Sequence, residues 1–460
     1  MPTLPPAREF RSLLQLALPI VVVQVGLMLM GVVDTLMVGR VSAAALAAVA
    51  LGNLYFFGIA IFGMGVLFAL DPLISQAVGA RDGVAVARGV QRGLVLAVAL
   101  AALSLLPLLV VEPVITLLRQ PPDVIPLAAG YVHAATGGLP AFLAFVVLRQ
   151  TLQAMDRVRP IVVAILGANV VNAFLNWALV FGHLGMPALG PIGTGWASTI
   201  SRWTMLIALV LLTAERLGPY LRPAGREVLR LRPLVRMIRL GLPIGAQLQL
   251  EMGAFAAVAL LMGWLGTAQM AGHQIAINLA SLTFMVPVGI AQAASVRVGQ
   301  AVGRGDPGAA RMAVKASLVA GASFMAFTAL LFLTMPGPLT ALYTDEGQVA
   351  RIAIALIPVA GVFQVFDGLQ VVAAGVLRGI GDTTAPFVAN LLAFWLIGIP
   401  ISLWLGFRTP AGPVGLWWGL VAGLAAAAIF LVARVRVRMR RDLRRIIIDD
   451  DVSADAGALA

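Results

Sequence analysis

The sequence predicts an all-α membrane protein with twelve transmembrane helices in two pseudo-symmetric six-helix lobes. Three observations predict it: apolar runs of spanning length recur throughout, basic residues gather on one side of them, and blocks of sequence repeat at a constant offset. The chain has 460 residues, 60% hydrophobic and 11% charged, with a mean hydropathy of +0.98. A soluble domain carries about 25% charged residues. This chain cannot cover itself with polar surface, so its exterior must face lipid.

A helix crossing a bilayer needs about 20 apolar residues at about 1.5 Å rise each. Runs of that length are read near 13–38, 46–70, 90–111, 124–148, 160–182, 191–214, 238–264, 269–294, 312–335, 349–376, 384–406 and 412–434. They are continuous rather than alternating, which excludes a β-barrel. The first run is too long for the apolar core of a signal peptide and lacks a small-residue cleavage site, so no cleaved leader is expected.

The net charge of +12 comes almost entirely from arginine, and Lys315 is the only lysine. A basic balance can indicate nucleic-acid binding. Here the arginines lie between apolar runs, so nucleic acid is not an expected partner. Loops after even-numbered spans are basic, for example Arg81, Arg88 and Arg92, or Arg149, Arg157 and Arg159. Loops after odd-numbered spans hold few such residues. The positive-inside rule then places both termini and the central linker in the cytoplasm of a bacterial inner membrane. The tail ends in Asp449, Asp450 and Asp451 and reads as disordered.

The repeat fixes the domain plan. Leu18-Pro19-Ile20 recurs as Leu242-Pro243-Ile244, and Gln76-Ala77-Val78-Gly79 as Gln300-Ala301-Val302-Gly303, both at an offset of 224. Asp82 matches Asp306 at the same offset, and Gly190-Pro191-Ile192-Gly193 matches Gly412-Pro413-Val414-Gly415 further on. The expected divisions are an N-terminal lobe at 1–214, a linker at 215–237, a C-terminal lobe at 238–434 and a tail at 435–460. Parallel six-span halves are typical of secondary transporters.

A charge at the bilayer centre costs from about 3 to above 10 kcal/mol. Asp34, Glu251 and Asp367 are therefore the leading functional candidates. Glu251 lies twelve residues past Arg239 and Asp367 eleven before Arg378, or about 18 and 16 Å from the cytoplasmic side. Asp34, twenty-three residues past Arg11, falls about 34 Å along its helix. A carboxylate in such a medium stays ionised beside a cation or takes up a proton. The alternative is a neutral hydrogen-bonded carboxyl that fixes packing.

Asn172 and Asn176 share a helix face, with Asn169 on a neighbouring one. They form a polar wall beside Asp34 or serve as interhelical glue. Gln274 and Asn278 make a similar pair in the second half. Pro19 and Pro243 each remove a backbone hydrogen bond and kink their spans, as hinges or as static shape. Arg202 falls in mid-span, where it could pair with an acid, meet an anionic group or sit against backbone carbonyls. His133 and His273 read as packing residues. Without cysteine, P-loop or HExxH, neither ATP use, a metal centre nor an enzyme activity is expected.

Together these features resemble the multidrug and toxic compound extrusion (MATE) family, in its NorM-like branch. The resemblance rests on Leu18-Pro19-Ile20 with Val33-Asp34-Thr35, the two Gln-Ala-Val-Gly blocks, Gln249-Leu250-Glu251, Phe366-Asp367-Gly368, Leu377 to Asp382, and Asn172 to Asn176. It implies a V-shaped pair of lobes exchanging small organic cations for Na+ or H+, with no cofactor. It ties Glu251 and Asp367 to the coupling cation, with Na+ as the metal they could hold. It links Asp34, Asn172 and Asn176 to cation or substrate handling. Gln274, Asn278 and Arg202 are further candidates for lining the cavity, although Arg202 departs from the uncharged residue usual there. A monomer in contact with membrane lipid is expected. The competing reading is a flippase for lipid-linked oligosaccharide, which needs buried basic residues in its cavity.

Overall fold

The computed structural model describes residues 6–222 and 225–449. The helices are α1 (Ala7–Val38), α2 (Ala43–Leu67), α3 (Leu70–Gly79), α4 (Gly83–Leu109), α5 (Val111–Leu117), α6 (Ile125–Thr136), α7 (Leu139–Ala154), α8 (Arg159–Phe181) and α9 (Pro191–Leu221). There follow α10 (Leu231–Leu265), α11 (Thr267–Gly303), α12 (Pro307–Thr334), α13 (Pro336–Ala341), α14 (Gly347–Gly379), α15 (Thr384–Asn390), α16 (Ile399–Arg408) and α17 (Gly412–Arg438). A π-helical stretch, Leu391–Gly398, joins α15 to α16. Among the described residues, eleven helical segments are long and apolar enough to cross a membrane, and α6 with α7, bent by 48°, makes a twelfth. The chain is a multi-pass membrane protein.

Helix α8 shows the inverted polarity that a bilayer demands. Val163, Leu166, Val170, Phe174 and Trp177 recur every three or four residues and are exposed. Asn169, Asn172 and Asn176 on the other side are buried. In water this helix would turn the other way, because its apolar stripe would seek the core.

The repeated motifs have local structural causes. Asp82 caps α4 by accepting from the Ala85 amide at 2.9 Å, and Asp306 caps α12 through Ala309 at 2.9 Å. Each cap satisfies a donor that the helix cannot pair itself. The Gln-Ala-Val-Gly blocks end the preceding helices α3 and α11.

The chain forms two compact units whose borders differ from the expected lobes. One unit is Ala246–Ile446 together with the chain start through Val21; the other is Val22–Gly245 together with the tail from Ile447. Each border falls two residues past a proline, Pro19 in α1 and Pro243 in α10. Helices α1 and α10 therefore begin in one unit and end in the other. Ala17 and Val21 lie against Gly289 of α11, and Gly241 lies against Val66 of α2. Adding 224 to Ala17 gives Gly241, so the two exchanges are copies of one arrangement. The linker is also shorter than expected, since helix continues to Leu221 and resumes at Leu231.

Within the unit that holds α14, small residues bring backbones together. A Cβ on Gly379 would come within 2.5 Å of the Ser295 carbonyl, and one on Gly375 would meet Ala291. Gly375/Gly379 and Ala291/Ser295 are both four apart, a small-xxx-small seam on each helix. Gly379→Val should therefore prevent α14 from seating on α11. Its expected outcome is loss of monodisperse folded protein in detergent, read by size-exclusion chromatography; an unchanged profile would contradict the seam.

Four basic residues read as loop residues, Arg88 and Arg92 on α4, Arg149 on α7 and Arg159 at the start of α8, lie in helices instead. Arg92 on α4 and Arg149 on α7 are 1% and 2% exposed. Both helices run beyond the apolar runs that suggested their limits. The tail corrects a second expectation. Helix continues to Arg438, residues 439–449 follow without helix or strand, and residues 450–460 lie outside the described residues. Asp449 binds Arg92 at 2.7 Å and Arg88 at 3.4 Å, while Arg236 donates to the Ile448 carbonyl at 2.9 Å.

Partial burial pushes the Asp449 carboxyl up, but the hydrogen bonds and charges of Arg92 and Arg88 outweigh it and hold it below its ordinary value of 3.8. A depressed carboxylate stabilises the folded state above its ordinary value and loses that contribution as pH falls below it. Asp449→Asn should thus lower the thermal unfolding midpoint by a few degrees at neutral pH. The difference should shrink once the medium is more acidic than that value, and an equal gap at both pH values would contradict the pairing.

Candidate cation sites

The candidate acids lie with amide groups in two clusters, one in each unit. In the unit built mainly from the first half, Asp34 of α1 is 4% exposed. Its Oδ1 accepts from Asn172 Nδ2 at 3.0 Å and Asn176 Nδ2 at 2.7 Å, and its Oδ2 accepts from Ser198 Oγ at 2.6 Å. The i,i+4 spacing on α8 aims both amides at one oxygen, as the sequence suggested. Three neutral donors surround the group, which is the environment of an acceptor-only carboxylate. The Oδ1 atoms of Asn172 and Asn176 are buried without a partner. They are further oxygen donors beside the acid.

Ser198 was not anticipated. A serine in a helix often satisfies itself on its own backbone, so it carries little signal. Its place on the α9 face, four residues before Arg202, was the available clue. Asn169 stands apart from Asp34 and donates to the Gly26 carbonyl at 2.9 Å.

Arg202 takes the third of its three expected settings, against backbone carbonyl. Its Nη1 donates to Ala135 O at 3.3 Å, and its guanidinium lies over the Phe56 ring at 4.3 Å. It is buried rather than lining an open cavity. The carbonyl it meets belongs to the last turn of α6 beside the break in that span.

In the other unit, Asp367 of α14 lies within electrostatic reach of Glu251 of α10, and Glu251 within that of Arg378. Asn390 Nδ2 donates to Glu251 Oε2 at 3.1 Å, and Gln370 Nε2 donates to Asn390 Oδ1 at 3.1 Å. Asp367 Oδ1 and Gln370 Oε1 are buried without a partner. Asn390 is the last residue before the π-helical stretch, and wide turns of this kind concentrate at functional sites. Within that stretch Trp395 donates to the Leu250 carbonyl at 3.2 Å. It thereby ties the wide turn to the residue preceding Glu251.

Asn390 and Gln370 were missed although both are polar residues within apolar runs, the criterion that singled out Asn172 and Asn176. Gln274 and Asn278 are exposed on α11 and make none of these hydrogen bonds. His273 is buried and accepts from Trp417 Nε1 at 3.2 Å, a packing role. Among the described residues, no group of three or more His, Cys, Asp or Glu is placed to hold a metal. The oxygen donors present suit a proton or a hard monovalent cation rather than a transition metal.

Residues 19–178 and 243–404 match the MatE family, one stretch in each half and each beginning at a repeat-related proline. The chain belongs to the MatE family. A probable multidrug resistance protein NorM from Pseudomonas putida is 37% identical over 458 residues, 98% of this chain and 99% of that protein. The multidrug resistance protein MdtK of Edwardsiella ictaluri is 36% identical, covering 94% of this chain and 96% of its own length. NorM of Aliivibrio fischeri is 35% identical over 96% of this chain and 98% of its own.

Among solved structures, the eukaryotic MATE transporter AtDTX14 superposes with a TM-score of 0.85 at 23% identity, over 95% of this chain and 98% of that one. The Vibrio cholerae MATE transporter VcmN in its bent form gives 0.82 at 18% identity, over 94% and 98%. These likenesses show the fold. The MatE chain described here is of the NorM-like branch by its relatives.

Proposed function

We propose that this MatE protein is a secondary multidrug efflux antiporter of the bacterial inner membrane, expelling organic cations in exchange for Na+ or H+. The observation that supports it most is the pairing of Glu251 with Asp367. Two neighbouring carboxylates in a mostly apolar interior repel each other, and Arg378 offsets only Glu251, so Asp367 needs a proton or cation to offset its charge. Their combined charge therefore depends on ion occupancy, which coupling requires. Asp34, ringed by neutral donors and oxygen atoms, gives the other unit its own cation-attracting group.

Pro19 and Pro243 serve as the hinges in this reading. Each lies two residues before the point where its helix passes from one unit to the other, so flexure there changes the units' relation without breaking either core. The basic termini and linker face the cytoplasm. The flippase reading loses the arginine it depended on, because Arg202 is committed to the α6–α7 break.

Cells stripped of their own efflux pumps and expressing the protein test this function. They should tolerate ethidium better than cells with an empty vector, and an ionophore that collapses the ion gradients should abolish the advantage. Equal sensitivity despite membrane-inserted protein would overturn the proposal.

A further inference from the structure

Arg202 is charged, buried and mid-span, and the transport reading gives it no task. Its surroundings suggest one. Three side chains on one face of α9 cap the end of α6. Thr199 Oγ1 donates to Ala134 O at 2.6 Å, Arg202 Nη1 to Ala135 O at 3.3 Å, and Trp203 Nε1 to Gly137 O at 3.0 Å. These carbonyls lie where the span bends by 48° before α7, so the helix cannot pair them all itself. In a membrane such groups need partners from neighbouring helices. A cation is also favoured at a helix C-terminus.

The guanidinium is fixed in place. It stacks on Phe56, with Phe57 at 6.0 Å. Arg202 Cδ lies against Gly138, where a Cβ would approach to 3.0 Å. One turn earlier on the same helix, Ser198 holds Asp34. The ionisable groups within electrostatic reach of Arg202 are Asp34 on α1 and Tyr131 on α6. From α2 it meets only the phenylalanines, and α8 faces Asp34 with neutral amides. Asp34 takes its hydrogen bonds from neutral donors, so the two charges are separated rather than in contact.

We propose that Arg202 is a positioning residue that clamps the α6–α7 break to α9 and whose fixed charge sets how tightly Asp34 attracts a cation. This deepens the transport reading and rests on Asp34 being a cation-attracting group. A permanent positive charge nearby in a low-dielectric interior repels any second cation. The arriving cation is therefore held weakly enough to leave again, as a transport cycle needs.

The test uses purified full-length protein in vesicles and tetraphenylphosphonium as the probe. Arg202→Met keeps the bulk and removes the charge, and should bind the probe about ten-fold more tightly. Arg202→Lys keeps the charge and should stay within about two-fold of wild type. The gain should vanish when Asp34→Asn is added. A loosened site binds more weakly, so tighter binding cannot come from structural damage.

Unchanged or weaker affinity in Arg202→Met, the same gain in Arg202→Lys, or a gain that survives Asp34→Asn would overturn the proposal. Gradient-driven efflux of the probe by wild type is measured in parallel. Intact efflux with no affinity gain refutes the role of Arg202 alone, whereas absent efflux refutes the transport reading beneath it.

Discussion

Glu251→Gln and Asp367→Asn are each expected to abolish gradient-driven efflux while leaving a folded protein in the membrane. The folded state should survive because each change keeps shape and an acceptor oxygen. Gln at 251 can still accept from Asn390, the partner that holds Glu251 at 3.1 Å. Asp367 Oδ1 already lacks a partner, so an amide there breaks no bond to that atom. What is lost is the capacity to change charge. With one acid neutral, the survivor no longer has a like-charged neighbour, and occupancy of the pair no longer switches between two states. Burying an unpaired charge costs several kcal/mol, so this difference is large on the scale of a conformational equilibrium. Near-normal drug resistance in cells carrying either variant would contradict the assignment.

Asp34→Asn should be comparably severe for a different reason. The Asp34 site has three donors, and a serine hydroxyl can reverse its role. An asparagine can accept from Asn172 and Asn176 through its oxygen and donate to Ser198 through its nitrogen. It fits, and imitates the acid in its neutral form. The variant should therefore unfold within a few degrees of wild type yet fail to move substrate in repeated cycles, because the site cannot return to its charged form. Dye efflux from cells falling to the empty-vector rate, with normal amounts of membrane-inserted protein, is the expected outcome. Retained efflux would remove Asp34 from the mechanism.

The fold was largely legible in sequence because its causes are local. Run length gives spans, and Pro19 with Pro243 marks the repeat. The exchange of helix beginnings between units was not legible, because it depends on which surfaces α1 and α10 meet before their prolines. Arg149 was misplaced because its helix outlasts its apolar run. Arg149 Nη1 donates to Gln24 Oε1 at 3.1 Å, and the buried Asp71 lies within its electrostatic reach. The contact of Asp449 with a buried arginine was not legible, because acidic composition alone cannot reveal it.

In the sites, the acids were visible because charge in an apolar run is costly. Their neutral partners were visible only in part. Paired Asn172 and Asn176 gave a helical spacing to read, whereas Ser198, Gln370 and Asn390 come from three separate helices. Gln370 lies one turn after Asp367 on α14, whereas only the fold brings Ser198 to Asp34 and Asn390 to Glu251.

The most direct test of ion-coupled export is transport by purified protein in sealed vesicles, with sodium and proton gradients imposed separately. Ethidium should move against its own gradient when at least one ion gradient is present, and the movement should stop in Glu251→Gln vesicles. Movement that is indifferent to both gradients, or that persists unchanged in that variant, would contradict the account.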